Sequence, residues 1–245
     1  MSESTFRFKH FTVHQDKCAM KVGTDGVLLG AWINPGNSKL ILDVGTGSGL
    51  IALMLAQKIA SRIDAIDIDE SAYTQARENF LISPWFKQLN IYHQSFQEFA
   101  SAASVQYDLI VSNPPYFHNA SKPAEESRLC ARHHDQLSFK ELVDGVKKIL
   151  SPTGKFCVVL PQKEGMEFMD LAMRNSLFCK RLTKVKTKAD GMDKRLLMEF
   201  THNFGFMIES CLTIKEKDGS FSKEYVELTE NYFLNLSAAP IPVAQ

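Results

Sequence analysis

The stretch KLILDVGTGSGLIALMLAQKIA, Lys39 to Ala60, constrains the fold more than any other. Its first part, Lys39 to Gly45, is a short apolar run that reads as a strand ending in glycine. Its last part carries Ile51, Leu55 and Ile59 four residues apart, the spacing of one helix face. Between them, Gly45, Gly47 and Gly49 let the backbone turn tightly and let a ligand come close. A strand that passes through such a turn into a helix starts an α/β unit.

The pattern continues along the chain. RIDAIDID, NIYHQS, YDLIVS and GKFCVVLP read as strands. ESAYTQARENF, SFKELVDGVKKIL and EGMEFMDLAMRNS read as helices between them, and Ser138 with Glu141 forms a capping box. CKRLTKVKT and RLLMEFTH are two late strands around the turn KADGMDK. Together these predict a mostly parallel seven-stranded sheet with helices on both faces and a final antiparallel hairpin at one edge. Residues 1–38 precede the first clear strand as an extension, and 39–245 form the main domain of one compact unit.

Composition narrows the function classes. The 245 residues carry no net charge, so a nucleic-acid partner needs a local basic patch. The five cysteines, Cys18, Cys130, Cys157, Cys179 and Cys211, are odd in number and form no CxxC pair. Reduced thiols in a cytoplasmic protein and no metal site are expected. The start MSESTFRFKH has no apolar signal core, and no run approaches a membrane span, so no membrane partner is expected.

The glycine spacing is G-x-G-x-G after Asp43; the dinucleotide fingerprint would need glycine at Leu50. That spacing suits a nucleoside cofactor without a pyrophosphate. Asp67 and Asp69 end the second strand, where an ionised carboxylate can accept from both ribose hydroxyls. A plain tight turn with helix-capping aspartates is the competing reading, and a nicotinamide dehydrogenase is a third.

The segment DLIVSNPPYF, Asp108 to Phe117, closes a hydrophobic strand with an amide, two prolines and an aromatic ring. In an open α/β sheet, ligands sit at the carboxyl ends of the strands. Asn113 offers an acceptor and donors, while Pro114 and Pro115 keep fixed carbonyls without N–H groups. Those acceptors suit an exocyclic amino group, and Tyr116 offers a face for a stacked base. Two acceptors on the amino protons aim the nitrogen lone pair at an electrophile, so catalysis is mostly positioning and electrostatics. A proline-rich turn is the bland alternative.

With both motifs placed, the whole chain resembles the class I S-adenosylmethionine-dependent methyltransferases with a Rossmann-like fold. Within them it is most similar to the bacterial family that methylates N6 of the adenine at position 37, beside the anticodon, of valine tRNA. The segments FRFKHFTVHQDKCAMKVGTDGVLLGAW, SNPPYF and KEYVELTENYF carry the likeness. NPPY by itself also fits glutamine-modifying, DNA adenine and guanine-N2 methyltransferases. The resemblance implies S-adenosyl-L-methionine as cofactor. It places Asp43, Gly45, Thr46, Gly47 and Gly49 along the methionine and ribose, and Asp67 at the ribose. Lys21, Gly23, Thr24 and Asp25 match an amino-terminal cofactor segment, and Asn113, Pro114, Pro115 and Tyr116 take the target base. Relatives of this class often place an acid after the third strand; here Ser95 and Phe96 stand there, as a weak acceptor and a backbone N–H.

Arg174 to Arg195 holds eight basic residues against two acids. Period-2 alternation would put Lys180, Lys184, Lys186 and Lys188 on one strand face. If the strand runs parallel to the others, its far end and the following loop, with Lys194 and Arg195, flank Asn113. Phosphate contact there is one reading; lysine protection of a sheet edge is the other. Arg128 and Arg132 form a second candidate patch. The expected protein is a monomeric tRNA adenine-N6 methyltransferase. The competing readings are a protein glutamine methyltransferase and a non-catalytic cofactor-binding subunit.

Overall fold

The structure, a computed structural model, describes residues 4–18, 20–115 and 137–235. Tyr116, Arg128, Arg132 and Cys130 lie outside the described residues.

Ten strands are formed among the described residues. β1 (Thr5–Arg7) and β2 (Thr12–His14) pair as a small antiparallel sheet. The main sheet contains β3 (Leu40–Val44), β4 (Arg62–Asp67), β5 (Leu89–His93), β6 (Tyr107–Ser112), β7 (Leu150–Pro161), β8 (Phe178–Lys188), β9 (Asp193–Thr201) and β10 (Ile208–Lys215). Its order is β10-β8-β9-β7-β6-β3-β4-β5. Only β9 runs antiparallel to its neighbours, β7 and β8.

The helices cover both faces. α1 (Thr24–Trp32), α2 (Leu50–Lys58), α3 (Glu70–Ile82) and α7 (Lys223–Thr229) join one core cluster; α4 (Phe96–Ala102), α5 (Phe139–Ile149) and α6 (Gln162–Arg174) join the other. Central strands feed both by alternation: Leu109 and Val111 enter the first core, Ile110 the second. α5 buries Leu142, Val143, Val146 and Ile149 on one face and carries the expected Ser138–Glu141 capping box.

Two details correct the sequence reading. The sheet has an eighth strand, β10, lying parallel to β8. The β8–β9 hairpin is therefore inside the sheet, with β9 inserted between β7 and β8. β10 escapes a pattern search because Leu212 and Ile214 are its only buried residues and Ile208 to Cys211 are exposed. With β8 covered on both sides, edge protection no longer accounts for its lysines.

The amino-terminal segment is strapped to α3 by buried amides. Asn79 accepts from the His14 N–H (2.9 Å) and donates to the His14 and Ser48 carbonyls (2.8 Å each). Gln75 accepts from the Lys17 N–H (2.9 Å), and Gln15 from the Val22 N–H (2.7 Å). Phe6, Phe8 and Phe11 pack with Phe233 in an aromatic cluster, and the Lys9 N–H donates to the Tyr232 carbonyl (2.8 Å). Both ends of the described chain thus meet on the α2 face, where the Tyr232 hydroxyl donates to the Met54 carbonyl (3.2 Å).

Candidate active site

Adjacent parallel strands β3 and β6 pair in register, Val44 opposite Ser112, and the Ser112 hydroxyl donates to the Val44 carbonyl (2.9 Å). Gly45 and Asn113 therefore leave the sheet side by side. This is the carboxyl edge, where an open α/β sheet binds ligands.

Two adjoining cavities open there. The larger, about 460 Å³, is lined by Gly45, Gly47, Asp67, Ile68, Phe96, Asn113, Pro114 and Pro115, among others. The smaller, about 140 Å³, is lined by Lys21, Gly23, Thr24, Asp25, Gly45, Thr46, Gly47, Asn113 and Arg195, among others. Met20, Gly45, Gly47 and Asn113 belong to both walls. The sequence motifs 60-odd residues apart are thus brought to one site.

The three glycines do different work. Gly45 (φ +69°) and Gly47 (φ +57°) are left-handed, and a Cβ on either would meet nothing within 4 Å. They keep a backbone cradle bare beside the cavities. Gly49 (φ +84°) caps α2, and a Cβ there would sit 2.5 Å from the Phe80 ring. Its role is close packing of the turn on α3.

Asp43 is fully buried beneath this turn. Its Oδ2 accepts from the Thr46 hydroxyl (2.7 Å) and the Ala52 N–H (3.1 Å). Its Oδ1 has no hydrogen-bond partner among the described residues. Burial pushes its pKa up to about 7, against the pull of those donors. Asp67 accepts from the Gly47 N–H (2.8 Å) and the Asp69 N–H (3.0 Å), and burial raises its pKa too. Each carboxylate oxygen retains a further acceptor site. Asp69 caps α3 through the Ala72 N–H (2.8 Å), and both aspartates line the larger cavity.

Ser95 is placed differently from its expectation. It caps α4, accepting from the Glu98 N–H and donating to the Glu98 carboxylate (2.9 Å). Phe96, Gln94 and Gln97 line the larger cavity instead. Sequence reasoning missed the two glutamines, together with Cys18, Met20, Ile68 and Leu137. Ile68 carried a usable signal: an isoleucine, 44% exposed, between two aspartates at a strand end.

Asp25 and Arg195, assigned to different ligands from sequence, form one ion pair in the wall of the smaller cavity (2.7 Å). Lys184 pairs with Glu209 (2.5 Å). A register irregularity between Cys179 and Arg181 breaks the alternation at Lys180. β8 does run parallel to β7 and β6, so Lys186, Lys188 and the loop to Lys194 stand at the Asn113 edge. Among the described residues, no helix is long and apolar enough to cross a membrane and no cluster of His, Cys, Asp or Glu could hold a metal.

Residues 20–188 match the family model of the methyltransferase small domain. A tRNA1(Val) (adenine(37)-N6)-methyltransferase of Trichodesmium erythraeum is 44% identical over 96% of this chain and 99% of its own. One from Bacteroides fragilis is 44% identical over 96% of this chain and 100% of its own. Among solved structures, a predicted O-methyltransferase from Agrobacterium tumefaciens aligns with TM-score 0.66 at 13% identity, over 85% of this chain and 96% of that one. The glycopeptide N-methyltransferase MtfA complexed with S-adenosyl-L-methionine aligns with TM-score 0.55 at 12% identity, over 73% and 95%. These two show the shared fold.

Proposed function

The chain belongs to the methyltransferase small domain family, among the tRNA1(Val) (adenine(37)-N6)-methyltransferases, and from that premise we propose that it methylates N6 of adenine 37 in valine tRNA. The observation that carries the reading is Asn113: it lines both cavities, next to the bare glycine cradle. S-adenosyl-L-methionine, when bound, supplies an electrophilic methyl group. The groups present fit it: an orphaned buried carboxylate oxygen on Asp43, a second accepting carboxylate on Asp67, and a cradle that a side chain would fill.

Asp67 holds the ribose hydroxyls, with Gly47 fixing the carboxylate. Ile68 and Phe96, which line the larger cavity, supply apolar surface for the cofactor base. Gly45, Thr46, Gly47 and Gly49 form the turn, and Lys21, Gly23, Thr24 and Asp25 close the methionine end. The Asn113 side-chain carbonyl and the Pro114 carbonyl accept from the target amino group, which turns its lone pair toward the cradle. The nitrogen–carbon bond would form as the donor's methyl–sulfur bond breaks, leaving a neutral thioether, and the nitrogen would then shed one proton to solvent, so no strong base is required before attack. Lys186, Lys188 and Lys194 meet the tRNA phosphates, and the protein works as a cytoplasmic monomer.

The test is labelled methyl transfer into tRNA from cells lacking this gene, followed by nucleoside analysis. Label in N6-methyladenosine of valine tRNA is expected. Label in protein glutamine, or none, sinks the reading.

A further inference from the structure

We infer that Arg195 is a positioning residue that couples the tRNA-side hairpin to the methionine end of the cavity through Asp25. The inference deepens the proposed function and rests on it.

The two partners lie 170 residues apart in sequence, yet Arg195 Nε donates to Asp25 Oδ2 at 2.7 Å. Both side chains are largely shielded, 19% and 17% exposed. Both line the smaller cavity together with Lys21, Thr24 and Asn113. On one side, Arg195 is held by two ladders, opposite Pro161 of β7 and Val185 of β8, and its guanidinium also donates to the Lys194 carbonyl (3.0 Å). On the other side, Asp25 sits in the first turn of α1, whose cap, Gly23, offers no side-chain acceptor. A carboxylate there complements the positive helix end.

The pair therefore bolts the start of α1 to the rigid sheet. The segment Lys21–Gly23, which lines the same cavity, runs straight into that helix. Lys186 lies opposite Asp193 in the β8–β9 ladder, two residues before Arg195. A polyanion that settles the hairpin also settles Arg195, hence Asp25 and the cavity wall. Coupling of this kind is reciprocal: each ligand tightens the other by the same factor. Because both side chains are shielded from water, the pair is screened less than a surface contact.

The experiment titrates S-adenosylhomocysteine calorimetrically against the wild-type chain, Arg195→Ala and Arg195→Lys, each alone and with saturating unmodified valine tRNA. Wild-type affinity should rise about fivefold or more with tRNA, within the usual range of allosteric coupling. Arg195→Ala should bind more weakly and lose the tRNA-dependent gain. Arg195→Lys should recover most of the gain. The inference is overturned if the wild-type chain shows no gain or if Arg195→Ala keeps it. It is also overturned if Lys fails to rescue while the melting temperature is unchanged, or if both variants lose affinity in step with a falling melting temperature. A wild-type chain that binds no S-adenosylhomocysteine would instead sink the methyl-transfer reading.

Discussion

β3 and β6 are neighbours in the same sheet, in register and parallel, yet they leave it with opposite chemistry. β3 leaves through glycines, which strip away side chains and present a bare backbone. β6 leaves through Asn113, Pro114 and Pro115, which strip away N–H groups and present carbonyls. Under the proposed function, one exit would admit a bulky ligand to the backbone and the other would accept hydrogen bonds from an amine. The difference teaches that glycine and proline here are complementary: each deletes what would obstruct its own ligand.

The largest effect should come from the β6 exit. Asn113→Ala should cut kcat by roughly 10²–10³-fold, as loss of one preorganised polar group does, while S-adenosylhomocysteine affinity stays within threefold of wild type by the same logic of separate exits. Parallel loss of both in a paired kinetic and calorimetric series would break the comparison.

Next comes the β3 exit. Gly49→Ala forces a Cβ onto Phe80 at a left-handed φ, and should cost about 2–4 kcal/mol by clash and strain. A denaturant midpoint equal to wild type would show that the turn yields freely. Asp67→Ala should weaken cofactor binding by about 10–100-fold, the range for hydrogen bonds to a charged group, with kcat at saturation nearly kept. Unchanged affinity would remove the carboxylate from the ribose role.

Asp43 sharpens the same contrast by pH. Its folded pKa of about 7 lies above the ordinary carboxylate value, so the native state keeps a proton that the unfolded state loses. Its share of stability is therefore full in acid and is lost as pH rises from about 4 to about 7, at up to about 1.4 kcal/mol per pH unit. Asp43→Asn should flatten that limb of the melting-temperature profile; an unaltered slope would mean Asp43 is ionised throughout. The smallest effect concerns the hairpin. Lys186→Glu with Lys188→Glu should lower the salt slope of tRNA binding by roughly one or two, leaving cofactor affinity without tRNA intact.

Local chemistry made the two exits legible. Glycine spacing, an Asn-Pro step and period-2 or period-3.6 patterns are each local to a short stretch of chain, and the α/β order follows from them. What stayed hidden is what the fold assembles at a distance. Nothing near Asp25 announces Arg195, and nothing near His14 announces Asn79. β10 is half exposed, so its pattern fades. Ser95 drew attention by motif position, but its neighbour Glu98 engages the hydroxyl in a helix cap, and Gln94 and Gln97 face the cavity instead. The hairpin expected at an edge lies inside the sheet for the same reason: strand order is not encoded in strand pattern.

The aromatic clasp between Phe8, Phe11 and Phe233 has a consequence for synthesis. The strap that leads to the wall of the smaller cavity gains its full set of contacts only when Tyr232 and Phe233 have left the ribosome. A nascent chain can fold most of its sheet earlier, but the finished cavity wall waits for residue 233.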